Sequence, residues 1–269
     1  MREHARVSAD PADLLAIYDD QLRVGGETSG GGEVTRLGPL HLVEFPGGFG
    51  FVTYRDLDGA DPATIERWVG AVVEHFSARP QVTDVEWKTR GHDVAPGLHE
   101  ALVGHGFVPG EEESVMLGPA EPLTAPVPLP DGVTVRRIED EAGVRAMSAA
   151  ADRAFEQPES TRRADDLVHR LRQNPEIEYW VAEADGEIVS SGRLEPVPGT
   201  EVAGVWGGST LPAWRGRGIY RAVTAARARS ALRHDCRYLH SDSTEYSRPI
   251  LERSGLVRVT TTRPYEWHR

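Results

Sequence analysis

Between Val205 and Arg227 the chain reads VWGGSTLPAWRGRGIYRAVTAAR, and its residue types fit one chemistry. A strand ends near Leu211, Pro212 marks a turn, Gly216 and Gly218 loosen the backbone, and a helix follows. The start of a helix exposes unpaired N–H groups and carries about half a positive charge. Glycines let a phosphate approach such a backbone, and Arg215 and Arg217 add charge. The chemistry this predicts is diphosphate binding. An Arg/Gly-rich turn without a ligand has the same composition, so spacing alone leaves both open.

The surrounding pattern supplies elements to position that run. Upstream, Val133–Arg137 reads as a strand, Glu139–Phe155 and Thr161–Gln173 as helices, and Tyr179–Ala184 and Glu187–Leu194 as a hairpin turning at Asp185-Gly186. Glu201–Leu211 is a strand with a bulge expected at Gly207-Gly208, and Gly216–Arg233 a helix. Arg237–Ser241 is a strand, Glu245–Ser254 a short helix stopped by Gly255, and Leu256–Trp267 the last strands. The first half has a related order. A helix runs from Asp10-Pro11 to Leu22 and a loop from Gly25 to Gly32; strands follow around Leu40–Phe45 and Phe49–Tyr54. A helix then spans Pro62–Ser77, a strand Val85–Thr89, a helix Pro96–Gly104 and a strand Phe107–Leu117. Prolines 119, 122, 126, 128 and 130 interrupt helix and central strand alike. The division predicted is 1–118, a Pro-rich linker at 119–132, and 133–269.

Composition narrows the partners. The chain has 269 residues, 30 basic against 42 acidic, a net charge of −12. That disfavours nucleic acid and anionic membranes, which need basic surfaces. Cys236 is the single cysteine, so neither a disulfide framework nor a cysteine zinc site is expected, and the chain reads as cytoplasmic. No stretch approaches the roughly 18 apolar residues of a membrane span, and the opening residues lack an apolar signal region. The ten histidines are scattered and no metal is expected. Lys88 is the lone lysine among the basic residues, a bias that warns against giving each arginine a task.

The run from Leu211 to Tyr220 resembles the acetyl-CoA loop of the GNAT superfamily of N-acetyltransferases, whose signature is Arg/Gln-x-x-Gly-x-Gly/Ala; Arg215 and Gly218 fit it. The segment Thr244–Gly255 resembles the family's next helix, Asn-x-x-Ala-x-x-x-Tyr-x-x-x-Gly-Phe. The resemblance implies a mixed α/β (α+β) fold of two GNAT-like acyl-CoA N-acyltransferase domains in tandem, the N-terminal one degenerate. It implies that the backbone at Thr210 and Leu211 pairs with pantetheine and polarises the thioester. The amides of Gly216, Arg217, Gly218, Ile219 and Tyr220 would hold the diphosphate. Three departures stand out. Tyr220 replaces Gly/Ala; Thr244 and Ser247 replace Asn and Ala but can still hydrogen-bond pantetheine; Leu251 takes the place of the tyrosine that protonates the leaving thiolate.

The reaction implied is acetyl transfer from acetyl-CoA to a primary amine of a small metabolite by direct attack; the acidic balance favours a cationic one. Freeing such an amine of its proton at pH 7 costs about three pK units, or roughly 4 kcal/mol, so a base or water relay helps. His240 and Asp242, two apart on a strand, share a face and are the candidate bases; packing and helix capping are their ordinary alternatives. Glu195 and Glu245 are weaker candidates, Tyr246 is the phenol nearest the vacant acid position, and Trp206 and Trp214 are candidate pocket walls. Other readings are a CoA-binding regulatory or scaffold protein without catalysis, an enzyme using a longer acyl-CoA, and a nucleotide-binding protein. Oligomeric state is not encoded in any of these patterns.

Overall fold

A computed structural model describes residues 9–28 and 31–269. Positions 29 and 30 of the expected Gly25–Gly32 loop, and residues 1–8, lie outside the described residues. The chain gathers into two compact units: 10–116 with 242–249 and 258–269, and 117–241 with 250–257.

In the first unit, Asp10 caps helix α1 (Pro11–Ile17) by accepting the Ala12 N–H, with Pro11 in the first turn. The helix widens through Tyr18–Leu22. Strands β1 (Val34–Leu37), β2 (Leu40–Phe45) and β3 (Phe49–Tyr54) follow, then α2 (Pro62–Ser77), β4 (Asp84–Arg90), α3 (Leu98–Gly104), β5 (Val108–Pro109) and β6 (Glu113–Pro119). β1 was not predicted, because none of its residues is buried and no apolar alternation marks it. Ile65, Val69, Val72 and Phe76 repeat at helical spacing along α2 and pack on Leu42, Tyr54 and Trp87.

The second unit contains β7 (Val133–Ile138), α4 (Glu141–Ala154), α5 (Thr161–Gln173), β8 (Glu178–Ala184), β9 (Glu187–Pro196), β10 (Val202–Thr210), α6 (Ile219–Arg233) and most of β11 (Tyr238–Ser243). Asp140 and Ser160 cap α4 and α5 through the Gly143 and Arg163 amides. Asp185 and Gly186 both take positive φ, as a tight hairpin turn demands. The chain closes with α7 (Arg248–Arg253) and β12 (Val257–His268).

Both units repeat one motif within a mixed α/β architecture. β2 and β3 are antiparallel, and β3 then runs parallel to β4 across helix α2. Likewise β9 and β10 are antiparallel, and β10 runs parallel to β11 across α6.

The units differ from the division at 1–118 and 133–269 in two respects. β12 pairs antiparallel with β4 from Thr262↔Arg90 to His268↔Asp84, so residues 258–269 complete the first unit. Hydrophobic alternation locates a strand but does not say which neighbour it pairs with. The proline-rich segment expected as a linker at 119–132 also falls within the second unit. It forms a short 3-10 turn at Glu121–Thr124, buries Ala120 and Leu123, and is tied to α6 by Arg229, which donates to the Thr124 carbonyl at 2.8 Å.

Candidate functional site: the α6 loop and the β10 edge

Helix α6 begins without a side-chain cap. Gly218 is its N-cap at φ +80°, a left-handed conformation that glycine adopts at no steric cost. Gly216 is also left-handed, and nothing lies near where its Cβ would be. The first intrahelical bond is Ala222 N–H to the Gly218 carbonyl, which leaves the amides of Ile219, Tyr220 and Arg221 without helical partners. Arg217 lies 5.0 Å over the Trp214 ring beside this turn. An anion such as a diphosphate fits the amides from Gly216 to Tyr220.

Arg215 is held by two backbone carbonyls. Its Nε donates to the Thr210 carbonyl at 3.0 Å and its Nη2 to the Ala154 carbonyl at 2.8 Å, so it braces the loop. The Leu211 amide is likewise committed, donating to the Val189 carbonyl at 2.9 Å. Thr210 sits opposite Ser190, with their hydroxyls 2.9 Å apart. Upstream, the ladder of β10 with β11 ends at Gly204↔His240, and its register with β9 shifts between Trp206 and Ser209, at the bulge foreseen for Gly207-Gly208. Beyond Gly204 the register of β10 with β11 stops, and the Trp206 carbonyl there accepts from Arg227 at 3.5 Å.

Tyr220, where the signature has a small residue, packs its ring on Gly208: a Cβ there would lie 2.6 Å from the ring. Behind it Arg227 is 1% exposed, its guanidinium donating to Thr224 Oγ1 at 3.0 Å and the Arg193 carbonyl at 3.3 Å. Burial pushes this guanidinium below its ordinary pKa, with the Tyr220 hydroxyl opposing. Sequence reading passed Arg227 over, since a helical arginine ordinarily faces solvent.

The matching positions of the first unit are filled from within. α2 is capped by Asp61, whose carboxylate accepts the Thr64 amide at 2.8 Å. The parallel ladder between β3 and β4 stops at Val52↔Trp87, and there buried Arg23 donates twice to the Tyr54 carbonyl, at 2.8 and 3.1 Å. Arg90 donates to the Lys88 carbonyl at 2.7 Å.

The proton-transfer candidates are separated by their surroundings. His240 is buried in the second unit, its ring edge-on to Trp206 at 5.3 Å. Asp242 belongs to the first unit and accepts Lys88 Nζ at 2.7 Å. Tyr246 is 92% exposed, while Leu251 is core. Thr244 and Ser247 lie together, the Ser247 hydroxyl donating to the Thr244 carbonyl at 3.3 Å. Glu245 pairs with Arg248 on the surface. Burial pushes the Cys236 thiol up to about 11, so it stays a neutral thiol.

Residues 144–255 match the model of the acetyltransferase (GNAT) family. This segment, under half of the chain, is similar to a GNAT domain. Acyl transfer to an acceptor is the chemistry such a domain carries. Solved structures extend the fold to the whole chain. A GCN5-related N-acetyltransferase from Kribbella flavida superposes with a TM-score of 0.67 at 18% identity, covering 95% of each chain. One from Sphaerobacter thermophilus gives 0.60 at 18% identity, covering 98% of this chain and 94% of that one. A tandem GNAT protein from the clavulanic acid biosynthesis pathway gives 0.58 at 13% identity, covering 97% of each. Identities this low establish fold, and the last shows that the tandem arrangement has a structural counterpart. A comparison with curated protein sequences finds no match.

Proposed function

We propose that this protein is an acetyl-CoA-dependent N-acetyltransferase acting on a primary amine of a small metabolite, with the donor held by the second unit alone. The observation that carries this is the contrast between two helix starts. α6 is uncapped behind two left-handed glycines, whereas α2 is closed by Asp61 and its neighbouring strand opening is filled by Arg23.

When bound, acetyl-CoA supplies an acyl group activated as a thioester. The chain's own residues do the rest. The amides at Gly216–Tyr220 hold the diphosphate, with Arg217 adding positive charge. Backbone N–H groups on β10 beyond Gly204 stabilise charge developing on the acyl oxygen, a large contribution when donors are fixed in advance. The Gly207-Gly208 bulge aims that stretch, with Tyr220 and Arg227 packed behind it. His240, at the last rung of the β10/β11 ladder, is the base best placed within this unit to take the amine proton directly or through water. The buried neutral Cys236 favours direct attack by the amine over an acyl-enzyme.

A second reading, acyl-CoA binding without turnover, is favoured by Leu251, which puts a core hydrocarbon where the related enzymes carry a phenol. Release of free CoA thiol across a panel of amino sugars, polyamines, amino acids and peptides, with acetyl-, propionyl- and succinyl-CoA as donors, tests both. Turnover with acetyl-CoA and at least one amine supports the transferase. Saturable binding of acetyl-CoA with no thiol release from any acceptor supports the second reading.

A further inference from the structure

One face of the second unit's sheet carries charged groups that the proposed function has not used. Gly204 of β10 stands opposite His240 of β11 on one side and Glu195 of β9 on the other; Trp206 stands opposite Arg193. Opposed residues, and residues two apart along a strand, share a face. His240, Glu195, Trp206 and Arg193 therefore form two adjacent rows on one face, at the point where the β10/β11 ladder ends. The Trp206 indole folds over Gly204, where a Cβ would collide with it. Glycine here is what lets the ring lie against the strand and meet His240.

The charged groups on this face lie close together, but their hydrogen bonding is incomplete. Glu195 lies 2.8 Å from Arg193 Nε and 3.8 Å from Arg170 Nη1 of α5. Two guanidiniums thus lie within 4 Å of one carboxylate. Although Arg193 Nε and Glu195 Oε1 are close, they are out of line. Both atoms are buried, and neither completes a hydrogen bond. Buried polar atoms left unpaired are costly, and native structures rarely keep them without a use. A guanidinium presents a planar fork that matches a carboxylate; the second arginine strengthens the attraction, and Glu195 offers an acceptor to an ammonium.

Resting on the acetyltransferase reading above, we propose that this face is the acceptor pocket and that the acceptor amine also carries a carboxylate, as in an α-amino acid. Arg193 and Arg170 take the carboxylate, Glu195 draws the ammonium, and the Trp206–His240 pair walls the side chain.

Calorimetric titration of α-amino acids, and of the same amino acids as their carboxamides, into the full chain tests this with and without CoA present. The expected result is that at least one amino acid binds, its carboxamide binding at least about tenfold more weakly (about 1.4 kcal/mol). Arg193→Gln should erase that difference, and Arg193→Lys should restore part of it while the melting temperature stays within a few degrees. Equal binding of acid and amide, no binding of any amino acid, or an unchanged preference in Arg193→Gln would overturn the proposal. A separate titration with acetyl-CoA reports on the donor site. Failure there, with amino-acid selectivity intact, would remove the transferase reading and leave the pocket standing.

Discussion

The only lysine of the chain, Lys88 on β4, places its Nζ 2.7 Å from Asp242 Oδ2 and 3.6 Å from Glu27 Oε1. Lys88 is only 16% exposed, and Arg90 closes the network by pairing with Glu27 and donating to the Tyr18 hydroxyl. In a protein that uses arginine almost everywhere else, this position takes a compact ammonium, a point charge able to meet two carboxylates at different angles. Removing one member of such a buried pair leaves the other uncompensated. Lys88→Met should therefore lower unfolding free energy by about 3 kcal/mol, read by urea denaturation. The double variant Lys88→Met/Asp242→Leu should recover much of the loss.

The same network sets a pH window. Burial opposes the charge on Glu27, but Arg90, Lys88 and Thr53 hold its carboxyl below the ordinary glutamate value. Its contribution to stability is therefore present above about pH 4 to 5 and disappears as pH falls through the depressed folded value. Burial likewise opposes the charge on Lys88, yet Asp242 and Glu27 raise its pKa above the ordinary lysine value. That contribution is present below about pH 10 and is lost as pH rises through the raised folded value. Thermal melting from pH 3 to 11 should show a plateau between these limits, and Lys88→Met should lose the alkaline limb's dependence on this group.

Tyr220 and Gly208 should behave as one unit. A Cβ at position 208 would lie 2.6 Å from the Tyr220 ring. Gly208→Ala should cost about 1–3 kcal/mol through overpacking, and Tyr220→Ala in the same chain should relieve most of it. Additive losses in a double-mutant cycle would show that the two residues are uncoupled.

His240 separates a chemical role from a packing one. His240→Gln should lower kcat by about a hundredfold and shift the pH profile of kcat, with the KM for acetyl-CoA unchanged. A packing role against Trp206 would move the melting temperature and leave the pH profile in place.

Much of the frame was legible in the sequence because it is written in local chemistry. Asp10-Pro11, Asp185-Gly186 and the Gly207-Gly208 bulge each carry a backbone requirement in their residue types. The candidate loop was legible to the same depth, since Gly216 and Gly218 both take left-handed conformations just before α6. What stayed hidden depends on partners far along the chain. Nothing in 258–269 says that this strand pairs with β4, nothing near Asp242 announces Lys88, and Leu211 gives no sign that Val189 takes its amide. Arg193 and Arg227 were invisible for another reason, since among so many arginines composition cannot mark the buried ones.

The most direct test of a single donor site is titration of acetyl-CoA into the wild-type chain and into Gly218→Asp, which places a carboxylate at the start of α6, where its charge opposes a bound anion. The account predicts one site per chain in the wild type. It also predicts at least about tenfold weaker binding in the variant, which should retain the wild-type circular dichroism spectrum. Two sites, no site, or undiminished affinity in Gly218→Asp would contradict it.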